Sequence, residues 1–153
     1  MLIEFEKICI DEKPGLVIVS GDVNSTLACA LVASKLNIPV AHIESGLRSF
    51  DRTMPEEINR VLTDRISDLL FVTEESGMKH LKSEGIPSHK IHFVGNTMID
   101  SVIKFLPVSL GQEPWRKYGL EENDYCLITL HRPSNVDTQE NIRQIVSMLN
   151  KMS

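Results

Sequence analysis

Glu44, Arg48, Asp51, Arg52, Thr53, Glu56, Glu57 and Arg60 crowd into one stretch of the chain, between residues 40 and 60. Carboxylates so grouped can remove and return protons, or stabilise a developing positive charge. Arginines can hold a phosphate through paired hydrogen bonds. An apolar run over residues 40–43 leads into this polar stretch, and Pro55 opens the segment after it. The pattern reads as a buried strand, a polar loop and the first turns of a helix. Strand ends of this kind are where open α/β sheets bind ligands.

Each candidate also has a structural reading. Glu44 lies two residues beyond His42, so strand alternation predicts that the two share a face. A charged group at the end of a buried strand is costly unless it is paired or working, which favours function for Glu44. His42, inside the apolar run, reads as a core histidine with its hydrogen bonds satisfied. Glu56 and Glu57 stabilise the positive end of a helix by about 0.3–1 kcal/mol each, which taken alone explains them. Arg60 follows Glu56 by four residues and can pair with it along the helix. The functional case for this helix start rests on the loop that brings it near Glu44. Gly21-Asp22 directly follows the first apolar run. Asp22 is there either a base or sugar-hydroxyl ligand, or a turn residue. His131-Arg132 follows another apolar run and forms either an anion or general-acid site or an ordinary loop.

Several classes of function are excluded. There is no Gly-x-Gly-x-x-Gly and no Gly-x-x-x-x-Gly-Lys-Ser/Thr, so no dinucleotide or P-loop nucleotide site is expected. His80, His89 and His92 lack metal-ligand spacing, and no metal or other cofactor is predicted. The formal net charge of -5 speaks against a nucleic-acid partner or an anionic membrane surface. No apolar run reaches spanning length, and Glu4 and Glu6 stand where a signal peptide would be basic. Cys9, Cys29 and Cys126 are isolated among apolar residues and read as reduced core thiols of a cytoplasmic protein.

The elements that must position these residues alternate along the chain. Helical spacing covers residues 2–10, and a short apolar strand follows at 16–19. A helix runs to about residue 36, capped by Asn24 or Ser25. Strands are expected at 40–43, 69–72 and 90–94, with helices at 55–67, 74–84 and 98–106 between and after them. Alternation of this kind implies right-handed crossovers and a parallel sheet. Proline, serine, glycine and glutamine then gather over 107–114, which reads as a linker. A short helix at 115–118, a strand at 125–130, a polar turn and a final helix complete the chain.

Gly21-Asp22, the run from Pro39 through His42 and Glu44 to Arg48, and Met54-Pro55-Glu56-Glu57-Ile58-Asn59-Arg60 together resemble the non-hydrolysing UDP-N-acetylglucosamine 2-epimerases. The resemblance continues through Asp64-Arg65-Ile66-Ser67-Asp68, Gly95-Asn96-Thr97-Met98-Ile99-Asp100 and Thr129-Leu130-His131-Arg132-Pro133-Ser134-Asn135-Val136-Asp137. Separate blocks in the right order over nearly the whole chain make this specific.

The resemblance implies a two-domain, glycosyltransferase-B-like fold of paired Rossmann-like domains. Residues 1–107 would be the later part of the first domain, 108–114 a linker, and 115–153 the incomplete start of a UDP-binding domain. It implies interconversion of UDP-N-acetylglucosamine and UDP-N-acetylmannosamine by elimination and re-addition of UDP. Asp22, Glu44 and Glu56 match the family's catalytic carboxylates. His131 matches its histidine near the departing nucleotide, and Arg60 and Arg132 are phosphate or structural candidates. The family's extra length implies that this chain resembles an internal fragment, inactive alone, whose partners are UDP-N-acetylglucosamine and either further copies or complementary polypeptides. A silent binding remnant is the alternative, and a nucleotide-sugar glycosyltransferase a third.

Overall fold

Eleven residues from Leu2 to Glu12 form the first helix, α1, and Lys13 ends it in the left-handed region. A computed structural model describes residues 1–130 and 133–151, except for the side chains of residues 133 and 134. After α1 the chain alternates as β1 (Val17–Ser20), α2 (Asn24–Lys35), β2 (Val40–Ser45), α3 (Pro55–Ile66), β3 (Leu69–Val72), α4 (Glu75–Ser83) and β4 (Ile91–Phe93). The four strands lie in the order β1-β2-β3-β4, every pairing parallel. This is the α/β class that the alternation predicted.

Consecutive order has a physical consequence. Each strand steps the same way across the sheet, so crossovers of one hand place α2, α3 and α4 on one face. Val17, Val19, Val40, His42, Leu70, Val72 and Ile91 occupy that face by register and are buried. Ala30 and Ala33 of α2 are fully buried with them, which lets the helix sit close to the strands. Leu81 and Ile86 cover the β3–β4 end. The opposite face is less protected: Ile18 is 60% exposed, and Ile43, Leu69 and Phe71 are half-buried.

The chain divides into two compact units, Met1–Phe105 and Leu106–Ser153. Helix α5 (Thr97–Gly111) runs past Pro107, so a helix occupies most of the span where composition predicted a linker. Proline disrupts a helix through its missing N–H and its clash with the preceding turn, and α5 accommodates it. The second unit continues with a 3₁₀ turn at Pro114–Tyr118, the short α6 (Pro133–Val136) and α7 (Gln139–Leu149), which Thr138 caps by accepting from the Asn141 amide. Residues 125–130 are not a strand. An extended segment becomes a strand only by pairing, and no described residue pairs with it. Cys126 in that segment is exposed and does not join a core, while Cys9 is buried and Cys29 half-buried, all three as free thiols. Burial pushes the Cys29 thiol up, as does the neighbouring Cys9.

Candidate functional site

The site is built where β1 and β2 end and α3 begins. At the end of β1, Gly21 takes a left-handed φ of 68° and turns the chain toward Asp22. Four residues from two elements, β2 and α3, hold this turn. The Gly21 amide donates to the Ile43 carbonyl at 3.1 Å. His42 Nε2 meets the Gly21 carbonyl at 2.9 Å. Asn59 Nδ2 donates to the Asp22 carbonyl and to Asn24 Oδ1, each at 2.9 Å. The Arg60 guanidinium grips the Asp22 carboxylate itself. Asn24 is thereby engaged by α3, and α2 has no side-chain cap; its N-cap position is Val23.

β2 breaks its alternation at Glu44. The register with β3 slips between Ile43 and Ser45, and Glu44 adopts φ 68°. Glu44 and His42 therefore do not sit as simple alternation predicts. A bulge re-aims a side chain, and a non-glycine residue in this region stores about 1–3 kcal/mol of strain. Here it swings the carboxylate over the first turn: Glu44 Oε2 lies 4.0 Å from where a Cβ on Gly21 would stand. Gly46 follows in the left-handed region, against Gly77 of α4, where a Cβ would come within 2.6 Å of the Gly77 carbonyl oxygen. Only glycine fits.

Two buried carboxylates of α3 anchor the loop that follows. Asp64, near the helix end, accepts from the Gly46 amide at 3.0 Å and Arg48 Nη1 at 2.7 Å, and its other oxygen meets His42 Nδ1 at 2.6 Å. Arg48 also forms a two-pronged pair with Glu84, both contacts 2.7 Å. Burial works against the Arg48 charge, but Glu84 and Asp64 outweigh it and raise its affinity for the proton. Glu57, near the helix start, accepts from the Ser49 amide and hydroxyl, the Phe50 amide and Arg60 Nη1, at 2.8–3.0 Å. Burial pushes the Glu57 carboxyl up, yet these hydrogen bonds together hold it below the usual carboxylate range. Arg60 is shared between Asp22 and Glu57, and these carboxylates outweigh burial to raise it.

The adjacent glutamates thus part company. Glu57 turns inward and is 3% exposed, while Glu56 is exposed and free of any described hydrogen-bond partner. Arg60 pairs with Glu57 and Asp22 rather than with Glu56, as the helix-surface reading had it. The structure brings Asp22, Glu44 and Arg60 together, and Glu56 sits one turn before Arg60 on α3. His131 and Arg132 lie outside the described residues. Sequence reasoning passed over Asn59 and Asp64 as individual positions. Their signal was available: a polar residue at helical spacing on the inner face of an amphipathic helix needs a partner.

The profile described as UDP-N-acetylglucosamine 2-epimerase matches residues 1–153. A relative named UDP-N-acetylglucosamine 2-epimerase, from Methanocaldococcus jannaschii, is 52% identical over 149 residues, covering 95% of this chain and 41% of its own. A Pseudomonas aeruginosa relative named UDP-2,3-diacetamido-2,3-dideoxy-D-glucuronate 2-epimerase is 47% identical, covering 99% of this chain and 42% of its own. Among solved structures, the M. jannaschii UDP-GlcNAc 2-epimerase in complex with UDP-GlcNAc and UDP superposes with TM-score 0.88 at 51% identity, over 98% of this chain and 42% of that one. A UDP-N-acetylglucosamine 2-epimerase structure from Rickettsia bellii gives 0.85 at 31% identity, over 97% and 40%. The chain therefore spans about two fifths of the length of the relatives it matches.

Proposed function

The chain belongs to the UDP-N-acetylglucosamine 2-epimerase family, and from that premise we propose that its residues form one wall of a nucleotide-sugar 2-epimerase site. The observation that carries this reading is the convergence of Asp22, Glu44 and the α3 start on one strand-end turn. The fold proposed for the whole protein is glycosyltransferase-B-like. Residues 1–107 contribute to its first Rossmann-like domain and 115–153 begin a second, UDP-binding domain. The substrate is UDP-N-acetylglucosamine, and the site works in the cytoplasm without a resident cofactor.

The chemistry asks for what this wall holds. UDP departs from the anomeric carbon, and positive charge develops on the sugar ring. Fixed carboxylates beside the ring stabilise that charge. The proton on the carbon bearing the acetamido group is removed from one face and returned on the other, which takes more than one positioned acid/base group. Glu44 and Glu56, each without a described hydrogen-bond partner, are free to exchange protons. Asp22, held by Arg60, is fixed in place. His131, with Arg132, offers a cation for the departing diphosphate. Other copies or complementary polypeptides complete the cleft.

The Pseudomonas relative's name favours a second substrate, a diacetamido uronic acid carried on UDP. The test is a chimera in which residues 1–153 replace the matched stretch of the M. jannaschii epimerase, assayed with both nucleotide sugars. Conversion of UDP-N-acetylglucosamine, with solvent deuterium entering beside the acetamido group, is the expected result. Glu44→Gln or Asp22→Asn should cut turnover at least ~100-fold with a smaller change in substrate binding. Undiminished turnover in both variants removes these carboxylates from the mechanism.

A further inference from the structure

His42 is fully buried, and both of its ring nitrogens face oxygen atoms. Nε2 meets the Gly21 carbonyl, which can only accept, so Nε2 carries a hydrogen. Nδ1 meets Asp64 Oδ1 at 2.6 Å. A carboxylate also only accepts, so Nδ1 needs a hydrogen as well. Rotating the ring by half a turn would put carbons against both oxygens and leave them unpaired, which a buried site disfavours.

One alternative would place the second proton on Asp64 instead. The other Asp64 oxygen argues against it, because that oxygen already accepts from the Gly46 amide and from Arg48 Nη1. These two donors, one of them a buried guanidinium, favour the ionised acid. Charge counting agrees. Arg48 is shared between Asp64 and Glu84, so neither carboxylate has the guanidinium to itself, and Asp64 keeps one side to be balanced. His42 is the group on that side. Glu84 is 36% exposed and meets water, whereas Asp64 is 1% exposed, so with a neutral ring the buried carboxylate would face only a shared guanidinium, which is costly.

We propose that His42 is held as an imidazolium between Asp64 and the Gly21 carbonyl, and that it is a positioning residue for Asp22. Asp64, Arg48 and Glu84 are the charged groups that set its state. A charged donor grips a carbonyl about twice as firmly as a neutral one. The Gly21 carbonyl is the peptide oxygen immediately before Asp22, so the ring fixes the base of the turn that presents this carboxylate. Helix α3 supplies Asp64, Asn59 and Arg60 to the same turn, directly or through the ring. Reading Asp22 as catalytic rests on the function proposed above; the protonation of His42 does not.

The test is nitrogen-detected NMR of the histidine rings of the 153-residue chain near neutral pH. The expected wild-type result is one buried ring with a slowly exchanging hydrogen on each nitrogen. A ring with one bare nitrogen overturns the imidazolium. Asp64→Asn separates charge from shape. Its amide nitrogen can face Nδ1 while its oxygen still accepts from Gly46 and Arg48. The same ring should then lose its Nδ1 hydrogen, keep that on Nε2, and leave the backbone spectrum folded. An unchanged ring in that variant denies Asp64 its part. In His42→Gln, the Gly21 and Asp22 amide signals should shift and broaden. In the chimera, His42→Gln should lower kcat about 100-fold, the scale of a misplaced reacting group, with KM nearly unchanged. Asp64→Asn should lower it less. Unmoved Gly21 and Asp22 signals with full kcat in His42→Gln overturn the positioning role. An inactive wild-type chimera counts against the epimerase reading alone, because the ring signals and the Gly21 and Asp22 amides still decide this one.

Discussion

Residues 1–105 and residues 106–151 both carry apolar side chains, but they use them differently. In the first unit a four-stranded sheet and its helices bury Leu70, Val72, Leu81 and Val40 completely. In the second, no residue with a described side chain is buried, and Leu127 is 84% exposed. Both units contain helices. The difference lies in layers: the first has a sheet for its helices to cover, and the described residues of the second form none. Polar groups follow the same division. Asp64 and Glu57 are buried because the first unit supplies three and four hydrogen-bond partners for them. In the second unit, Arg116 pairs with Glu113 in the open, where such a pair contributes little.

The largest effect should come from emptying the Asp64 position. Asp64→Ala leaves His42 Nδ1 and the Gly46 amide without their Asp64 partner, and leaves the Arg48 charge with Glu84 alone. Breaking a buried charged cluster on one side costs about 3–5 kcal/mol. Urea titration of the chain should show the first unit losing most of its stability. Asp64→Asn, which keeps the bonds, should be much milder. Equal losses in the two variants would mean that bulk rather than hydrogen bonding holds β2 to α3.

A smaller effect should appear with pH at Glu57. Hydrogen bonds hold its carboxyl below the usual range in the folded protein. The folded state therefore binds the proton less readily than the unfolded chain, whose glutamates titrate near pH ~4.3. Glu57 contributes its full stabilisation above that value and loses it as pH falls through the lower, folded value. The advantage of wild type over Glu57→Gln should be about 1–3 kcal/mol near neutrality, the scale of a charged hydrogen-bond acceptor. It should shrink on acidification. An advantage that stays constant down to acid pH would place the loop's anchor elsewhere.

The contrast between the units also marks what was legible in the sequence. β3 was legible to the residue, and the other strands and helices of the first unit to within a few residues, because apolar runs and helical spacing report burial and burial is real there. The expected strand at 125–130 failed because the same apolar pattern was present without a partner to pair with. The end of α5 was misplaced because Pro107 and Gly111 mark a break by composition, while the helix continues across the proline. Within the site, residue types were readable and directions were not. Residue type and charge do not tell which of the neighbours Glu56 and Glu57 turns inward. The fold turns Glu57 toward Ser49 and Phe50 and leaves Glu56 outward. The bulge at Glu44 was hidden for a related reason. Alternation assumes an unbroken ladder, and φ 68° at a glutamate is a departure that neighbouring packing imposes.

The smallest effect should come from Leu127, and set against the buried Leu70 it tests the comparison most directly. Leu70→Ala removes a fully buried side chain of β3 and should cost about 2–5 kcal/mol through lost transfer and a cavity. Leu127→Ala removes a side chain that is already in water, so the expected change is within about 0.5 kcal/mol. The second substitution should instead alter association. Leu127, Ile142, Val146 and Met148 are exposed apolar groups, and the sheet of the first unit leaves Ile18 open on its less protected face and strand β1 at its edge. Apolar surface and open strand edges of this kind draw chains together. Light scattering on the purified chain should therefore show self-association that Leu127→Ala reduces and Leu70→Ala does not. A cost at Leu127 approaching that at Leu70 would mean that Leu127 is buried in solution by contacts the folded units do not provide on their own. The two regions would then differ in their partners and not in their capacity to form a core.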